Sequence, residues 1–340
     1  MDREFDYDKI NLGHGSGGLM TRELLDHVIF KAFNNPYLDA RHDGSILDIN
    51  GKIAISTDSF VVSPIFFKGG NIGDLAVNGT VNDVAMCGAI PQFISLAFIV
   101  EEGLDIGAFK EIIETIKEAA RVSGVQIVTG DTKVVERGKG DKIFINTTGI
   151  GRVHPKADVS FKRIKASDQI IVSGRIAQHG MAIMSQREGL EFESTIESDS
   201  TNLNFLTCEL LDRFGDKIHL FRDPTRGGVA SVLSEIAFDT GLGISLEESR
   251  IPLEKQVAAA CEILGIDPLY VANEGVFIAI VAPEVANEVV EYLRSTDKGA
   301  NASCIGSFTS ENPRKVVMTS MIGGKRMVTP LLGEQLPRIC

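Results

Sequence analysis

The sequence predicts a two-domain α+β protein, on the basis of its length, its composition and the order of its elements. The chain has 340 residues, about twice the size of an ordinary domain. Apolar residues make up 44% of it and charged residues 24%, a balance that is typical of globular proteins and excludes a disordered chain. Short β-like runs alternate with segments of helical periodicity in both halves, and no sequence repeat relates the halves.

The first half is predicted to contain four strands and two long helices. Apolar runs predict the strands, and the clearest helix has apolar residues at three- and four-residue spacing between Ile106 and Ala120. A basic, turn-rich stretch follows and predicts a domain boundary near residues 154–165. The predicted strands are 52–57, 92–100, 125–129 and 142–153, and the predicted helices are 71–88 and 105–122.

The second half begins again with a strand and continues with five helices and four more strands. Its last segment, from Pro330 onward, contains two prolines and no apolar period, so we predict an extended, flexible terminal arm. The predicted division is therefore residues 1–154, residues 155–329 and a tail of residues 330–340. The predicted strands are 169–173, 243–246, 276–281, 302–308 and 314–319, and the predicted helices are 178–187, 202–214, 227–240, 254–264 and 284–294.

Composition excludes several classes of function. The 34 basic and 46 acidic residues give a net charge of −12, which argues against general binding to nucleic acid or anionic lipid. The longest apolar runs are far shorter than the ~20 residues of a membrane span. The first residues are charged and lack the apolar segment of a signal peptide. We therefore expect a cytoplasmic protein that binds neither membrane nor nucleic acid.

The five cysteines are odd in number, widely spaced and never arranged as CxxC. This spacing disfavours a disulfide framework or a zinc site. Cys340 is different because it is the last residue of the chain. The other four lie in apolar contexts and are expected to be buried thiols: Cys87, Cys208, Cys261 and Cys304.

A glycine-rich segment, Gly13-His14-Gly15-Ser16-Gly17-Gly18, directly precedes a helical pattern. Glycines let backbone N–H groups approach an anion, and the N-terminus of the following helix favours negative charge. The segment lacks the GK[ST] ending of a Walker motif. It therefore indicates either a phosphate cradle or a flexible entry loop.

Three carboxylates lie in short polar motifs at the ends of elements that are able to converge. Asp58 lies in TDS, Asp83 in NGTVNDVA and Asp131 in GDTKV. Carboxylate oxygens suit Mg²⁺ that bridges phosphates, and Lys133 would add a compact positive charge. The alternative is that each Asp is a helix cap or a turn residue.

Two motifs of the second half carry further polar groups. Arg226, in DPTRGG, stands beside two glycines at the start of a predicted helix, which is either an anion-binding arrangement or a capping turn with a solvated arginine. Glu274, in NEG, precedes a predicted strand and is either a catalytic base or a turn carboxylate, and the pattern alone favours the turn.

The six histidines are scattered and show no metal-binding spacing. His14 and His179 stand beside glycines and are expected near a site. The other four are expected to be surface or satisfied polar residues: His27, His42, His154 and His219.

Taken in order, the motifs GSGG, TDS, NGTVNDVAMCGA, GDTKV, DPTRGG and NEG resemble the ATP-binding superfamily of aminoimidazole ribotide synthetase, selenophosphate synthetase and thiamine-monophosphate kinase. The match spans nearly the whole chain. The ending PRIC and the loop GSGG are similar to those of the hydrogenase maturation carbamoyl dehydratases of the NiFe-enzyme pathway. Selenophosphate synthetases carry a reactive Cys or Sec near the N-terminus, and this sequence has no cysteine before Cys87.

The resemblance implies an aminoimidazole-ribotide-synthetase-like fold. Its N-terminal domain would bind ATP and pair with its twin, so that two sheets form a dimeric barrel with ATP near the interface. Its C-terminal domain, an α/β sandwich, would cover the nucleotide. The tail would carry the substrate on Cys340.

The resemblance also implies roles for particular residues. Cys340, Glu274 and Lys133 would be catalytic, with Glu274 as the base that takes protons from the carbamoyl nitrogen. Asp58, Asp83 and Asp131 would hold Mg²⁺. The remaining set would bind ATP: Gly15, Ser16, Gly17, Gly18, Asn78, Asp83, Lys133, Arg226, Gly227, Gly228 and Asn273.

The activity implied is the ATP-dependent dehydration of an S-carbamoyl group on Cys340 to a thiocyanate. A carbamoyltransferase partner would load the thiol, and the cyano group would pass to iron on a partner scaffold complex, to become a cyanide ligand of the hydrogenase. Two alternatives remain open: a superfamily member that phosphorylates a free small molecule, and a non-catalytic maturation scaffold that docks through Cys340.

Overall fold

The computed structural model describes residues 7–41, 44–189, 196–330, 333, 336 and 338–340. His42 and residues 331, 332, 334, 335 and 337 of the tail lie outside this part of the chain. The described residues form two α+β domains. One apolar cluster fills the N-terminal domain, and two clusters lie on either side of the C-terminal sheet.

The N-terminal domain is built on a four-stranded sheet in the order β1-β6-β4-β5, with β4 and β5 parallel and the other pairs antiparallel. Its strands are β1 (Ile53–Phe60), β4 (Ala89–Glu101), β5 (Gln126–Val135) and β6 (Ile143–Val153), and β2 (Phe66–Phe67) pairs with β3 (Gly70–Asn71). Its helices are α1 (Leu19–Leu24), which continues through a π-helical stretch (Leu25–Ile29) into α2 (Phe30–Phe33), then α3 (Pro36–Asp39), α4 (Ile72–Met86) and α5 (Ile106–Ser123).

The helix α4 packs on one face of this sheet, and α5 packs on α4. The sequence fixes both ends of α5, because Asp105 accepts a hydrogen bond from the Ala108 amide and Gly124 closes the helix in a left-handed conformation. The opposite face of the sheet is open. It presents large apolar side chains to solvent: Ile53, Ile55 and Ile99 are 53%, 64% and 46% exposed.

The C-terminal domain is built on a seven-stranded mixed sheet in the order β13-β12-β9-β11-β7-β10-β8. Alternate residues of β7 belong to different apolar clusters, with Ile170 and Val172 on one face and Ile171 on the other. Helices therefore cover both faces, which explains why central strands of this domain are continuously apolar. The strands are β7 (Gln169–Val172), β8 (Ile218–Arg222), β9 (Gly243–Glu247), β10 (Ile278–Val281), β11 (Ser303–Thr309), β12 (Val316–Thr319) and β13 (Lys325–Val328), and the helices are α6 (Gln178–Arg187), α7 (Asn204–Phe214), α8 (Gly228–Thr240), α9 (Lys255–Leu264) and α10 (Ala286–Arg294).

The predicted two-domain α+β architecture is confirmed, and three details of the prediction are wrong. GDTKV does not follow a strand but lies inside β5. Its glycine is there because a Cβ on Gly130 would stand 2.0 Å from the Leu96 carbonyl oxygen of β4. The strands β8 and β13 are absent from the prediction. Both are short edge strands of the sheet. Three of the four residues of β13 are exposed, so it gives little apolar signal, whereas β8 is buried at four of its five positions and does carry one.

The prediction for the cysteines is correct only for Cys261, which is 1% exposed. Cys208 and Cys304 are half-buried, and Cys87 is exposed. The reason is that Cys87 caps the C-terminus of α4, where the helix ends at a cleft instead of in the core. In the described residues, no helix combines the length and the apolar character that a membrane crossing requires.

Candidate active site between the two domains

A cleft of about 650 Å³ lies between the two domains and collects most of the polar residues that the motifs singled out. Asp58 and Asp83 enter it from the N-terminal domain, and Arg226 and Glu274 enter from the C-terminal domain. Cys340 lines the same cleft, so the end of the chain lies among the predicted site residues.

Asn82 fixes the domains in the orientation that forms this cleft. Its side-chain amide donates to the backbone carbonyls of Thr201 (2.9 Å) and Glu274 (3.2 Å), and its carbonyl accepts from the Leu203 amide (2.8 Å). The neighbouring residue, Asp83, is consequently directed towards the C-terminal domain. Asn82 is not among the predicted site residues, although it stands beside Asp83 in NGTVNDVA.

Asp83 interacts with the buried Asp223, which belongs to DPTRGG but is not among the predicted site residues. Burial raises the pKa of Asp83 to about 7, helped by the charge of Asp223, and burial also raises the pKa of Asp223. The Ser56 hydroxyl donates to Asp83 at 2.8 Å. Two interacting carboxyls in a desolvated site titrate as a unit, so this pair carries less negative charge than two separate aspartates would.

Arg226 bridges the two domains at the edge of the cleft. Its Nη2 lies 3.1 Å from Asp58 Oδ1, and its guanidinium hydrogen-bonds the side chain of Cys340. The two following glycines place it there. Gly227 and Gly228 both have left-handed φ angles of 68° and 61°, and a Cβ on Gly228 would stand 2.5 Å from the Leu269 carbonyl oxygen.

Glu274 is 4% exposed and faces the cleft. Burial first, and then the charges of Asp199 and Asp223, raise its pKa well above the usual value of a glutamate. Its Oε1 has no hydrogen-bond partner within the described residues. A buried carboxyl with an open acceptor is costly to keep, so the placement favours the catalytic interpretation of Glu274 over the turn carboxylate.

The end of the tail docks into the N-terminal domain. A terminal carboxylate oxygen of Cys340 accepts from the Val61 amide at 3.2 Å, and the Arg338 carbonyl accepts from the Ser63 amide at 3.3 Å. Ile339 is 4% exposed and belongs to the apolar core. Burial, then the charge of Glu274, raises the pKa of the Cys340 thiol to about 12, against the opposing effect of Arg226. The docked thiol is therefore protonated at neutral pH.

The glycine-rich loop contributes to a second cavity, of about 750 Å³. Gly15 and Gly17 line it together with Asp131 and Lys133, and the Lys133 ammonium lies 3.0 Å from Asp131 Oδ1. The Ser16 hydroxyl instead donates to the Gly13 carbonyl at 3.0 Å, and Gly18 caps α1. Within one chain, the predicted site residues thus fall into two groups.

The register of the sheet explains this separation. Asp58 pairs with Thr147, Thr147 with Leu96, and Leu96 with Gly130, so three strand spacings of ~4.8 Å, or ~14 Å, separate β1 from β5 at this level. Asp131 is one residue further along β5 and points to the opposite face. In the part of the chain that the structure describes, no three Asp, Glu, His or Cys side chains are close enough to hold a metal ion. The predicted set Asp58, Asp83 and Asp131 is therefore not assembled within one chain.

Asn273 and Asn78, two residues predicted to bind the nucleotide, use their side-chain amides in hydrogen bonds within the protein. The Asn273 amide donates to the carbonyls of Pro224 (2.8 Å) and Val271 (3.0 Å), and its oxygen accepts from the Ala177 amide (2.7 Å). Asn273 is 0% exposed, and its hydrogen bond to Pro224 holds the NEG segment against the DPTRGG segment. Asn78 donates to the Ser200 hydroxyl at 3.2 Å and links α4 to the C-terminal domain.

Of the two histidines expected near a site, His179 contacts the tail, with Nε2 2.9 Å from the Ile339 carbonyl oxygen. His14 is buried beneath the glycine-rich loop, where its Nδ1 accepts from the Asn11 amide at 3.0 Å. His179 therefore lies beside the tail and His14 beside the glycine-rich loop, and the contacts described here assign neither a ligand role.

The family models divide the chain as the fold does. Residues 41–153 match the N-terminal domain of AIR synthase related proteins, and residues 165–318 match their C-terminal domain. Fold and site together define an AIR synthase related protein with a carboxylate-lined cleft between its domains.

More similar relatives narrow this class. The chain is 48% identical over 332 residues to the carbamoyl dehydratase HypE of Bradyrhizobium diazoefficiens, covering 97% of this chain and 96% of that protein. A crystal structure of the hydrogenase maturation protein HypE in complex with ATP superposes with a TM-score of 0.93 at 45% identity, covering 97% and 99% of the two chains. A HypE–HypF complex gives 0.80 at 45% identity, covering 91% and 99%. The chain belongs to the carbamoyl dehydratase HypE family.

Proposed function

We propose that this protein dehydrates an S-carbamoyl group on Cys340 to a thiocyanate at the expense of ATP, as a step in hydrogenase maturation. The observation that carries the proposal is the docking of the C-terminal thiol into the cleft, between Arg226 and the buried carboxyl of Glu274. The final residue of a chain is usually frayed. Here it is held by backbone hydrogen bonds and an apolar anchor, which a small-molecule kinase or a passive scaffold would not require.

The reaction balances with one ATP for each carbamoyl group. The carbamoyl oxygen attacks the γ-phosphorus and ADP leaves, which converts a poor leaving group into phosphate. The C–O bond then breaks as phosphate departs, and the nitrogen loses its protons to give S–C≡N. Phosphoryl transfer of this kind depends mainly on positioning and charge neutralisation.

Residues of the cleft supply the positioning and the base. Arg226 holds the Cys340 end of the tail and places a positive charge where the oxygen gains a phosphoryl group. Glu274 has an unpartnered acceptor oxygen in a dry site, where a carboxylate with a raised pKa is a strong base. The docked tail also covers part of the cleft, which reduces the access of water to a phosphorylated intermediate.

Loading of the thiol takes place with the tail undocked. A thiol whose pKa is about 12 is a poor nucleophile at neutral pH, so the carbamoyl group is accepted at the active site of another protein. A HypE–HypF complex among the similar structures suits a carbamoyltransferase as that partner. The product is delivered to an iron-carrying scaffold complex, and all of these steps belong to the cytoplasm.

The nucleotide site is completed by a homodimer. The open face of the N-terminal sheet exposes Ile53, Ile55 and Ile99, an apolar surface that two copies would bury against each other as a barrel. Asp131 and Lys133 lie on that same face of the sheet, so each would serve the cleft of the other copy. The glycine-rich loop lies beside them and cradles phosphates.

The donor set of this site suits Mg²⁺. Asp83 and Asp223 offer neighbouring hard oxygen ligands from one copy, Asp58 lies in the same cleft, and Asp131 would come from the other copy, so the set is complete only in the dimer. When bound, Mg²⁺ neutralises the phosphate charge that would otherwise repel these carboxylates.

Mass spectrometry of the C-terminal peptide tests the activity. The dimer, carbamoylated on Cys340, is mixed with Mg·ATP, and the peptide is expected to lose the mass of one water for each ATP consumed. Cys340→Ala is expected to retain the fold and ATP binding and to form no cyano group. A carbamoylated peptide whose mass does not change with ATP would falsify the proposal.

Mixed dimers test the shared site. Glu274→Gln disables the cleft of its own chain, and Lys133→Ala disables the phosphate contact that the chain gives to the other copy. A heterodimer of the two variants then keeps one intact site and should recover about half of the wild-type rate, while each homodimer is inactive. If the two residues serve the same chain's site, the heterodimer stays inactive and the shared arrangement is refuted.

A further inference from the structure

The buried imidazole of His179 contacts the tail one residue before Cys340. His179 is the second residue of α6 and is 0% exposed. Its Nε2 lies 2.9 Å from the Ile339 carbonyl oxygen and its Nδ1 2.8 Å from the Ser198 hydroxyl, and its ring stands edge-on to Phe67 at 5.5 Å. The ring has a different partner at each nitrogen, and its face and edges are enclosed by the core.

These partners allow only one tautomer. The Ile339 carbonyl oxygen can only accept, so His179 Nε2 carries the hydrogen. The Ser198 oxygen already accepts from the Ser200 amide at 3.1 Å, and its hydroxyl donates to Nδ1. Burial lowers the pKa of His179 to about 4, so the ring stays neutral and keeps this arrangement through the physiological pH range.

The other carbonyls of the docked tail are also bound, but by groups of a different kind. A terminal carboxylate oxygen of Cys340 accepts from the Val61 amide, and the Arg338 carbonyl accepts from the Ser63 amide and the Arg187 guanidinium. His179 belongs to the C-terminal domain and donates to Ile339, the residue next to Cys340. It thus links the tail to the same domain that supplies Glu274 and Arg226.

We infer that His179 is a positioning residue for the dehydration, which fixes the Ile339 carbonyl and thereby holds Cys340 in register with Glu274 and Arg226. The consequence for catalysis rests on the proposed function, whereas the docking itself does not. Loss of the donor leaves a buried carbonyl without a partner, which shifts the docking equilibrium roughly 5- to 150-fold towards the undocked tail.

The test compares His179→Phe, which keeps an aromatic ring against Phe67 but cannot donate, with His179→Gln, whose amide nitrogen stands near the Nε2 position. Docking is measured in the full dimer, without ATP or a carbamoyl group, as the rate at which iodoacetamide alkylates Cys340. The exposed Cys87 in the same digest is the internal reference. His154→Phe is the control for loss of a buried imidazole away from the tail, since His154 is 7% exposed and contacts Lys156 and Asp212.

We expect Cys340 to be alkylated roughly 5- to 150-fold faster in His179→Phe than in the wild type. The rate should return towards the wild-type value in His179→Gln and should not change in His154→Phe. Thiocyanate formation in a single turnover should fall and recover in the same order, while ATP affinity stays constant. If the phenylalanine variant is unfolded by circular dichroism, His179→Met replaces it. Wild-type alkylation in the donorless variant, or glutamine behaving like phenylalanine, would overturn the inference. Because alkylation needs no carbamoyl group, the assay tests the docking role of His179 even if the proposed dehydration activity fails.

Discussion

Ile339 is predicted to provide most of the apolar free energy that docks the tail. Its side chain is 4% exposed within the N-terminal core. Ile339→Ala removes three buried carbons, and at about 0.8 kcal/mol for each the transfer term alone is about 2.4 kcal/mol. A residual cavity would add to this cost. At a factor of ten for every 1.4 kcal/mol, the ratio of undocked to docked tail rises about 50-fold.

Alkylation of Cys340 measures this ratio directly, because the docked thiol is protonated and reaction proceeds through the undocked state. The rate in Ile339→Ala should rise about 50-fold over wild type, as expected for opening that is fast relative to reaction. Ile263→Ala is the matched control, since Ile263 is 72% exposed on α9, and it should leave the rate unchanged. A rise below about fivefold, or an equal rise in both variants, would show that the apolar anchor does not hold the tail.

Three further predictions concern the charged groups of the cleft. The pKa of the docked Cys340 thiol, about 12, exceeds the value of about 8.5 for a free thiol. Docking is therefore strongest below about pH 8.5 and weakens as the pH rises above it. The alkylation rate of Cys340 in the protein should keep rising through about pH 10, whereas the rate for a free peptide of residues 330–340 has levelled off there. Glu274→Gln should keep tail docking and ATP binding but slow thiocyanate formation by about 100-fold or more in single-turnover assays. Asp223→Asn should slow Mg²⁺-dependent ATP turnover at least about tenfold, measured as phosphate release, whereas the exposed Asp239→Asn should not; equal rates would remove Asp223 from the site.

Most of the fold could be predicted from periodicity, because the long elements carry their own signal. The helix α5 has both its apolar stripe and its two caps in the local sequence. GDTKV was misplaced for the opposite reason: glycine usually marks a turn, and only the approach of β4 to β5 makes Gly130 a strand residue. The edge strand β13 gives little apolar signal because three of its four residues are exposed, whereas β8 escaped prediction although four of its five residues are buried.

The site was predictable as a set of motifs but not as a geometry. Six short motifs and the final cysteine indicate Asp58, Glu274, Arg226 and Cys340 as candidates. The residue types leave their roles open, and the catalytic role of Glu274 and the carrier role of Cys340 are implied by the family resemblance. The sequence did not indicate that Asp131 points to the other face of the sheet, because this depends on the register of four strands. Nor did it indicate the partnership of Asp83 with Asp223.

The sequence by itself determined the two domains, the order of their main elements and the chemical character of the cleft, because propensity, periodicity and residue type are local properties. Only the tertiary structure decided that Glu274 is an unsolvated carboxyl, that the Cys340 thiol is protonated where it docks, and that a neutral His179 reaches the tail. Burial and the charges of residues distant in sequence set these properties. They exist only once the two domains and the end of the chain have come together.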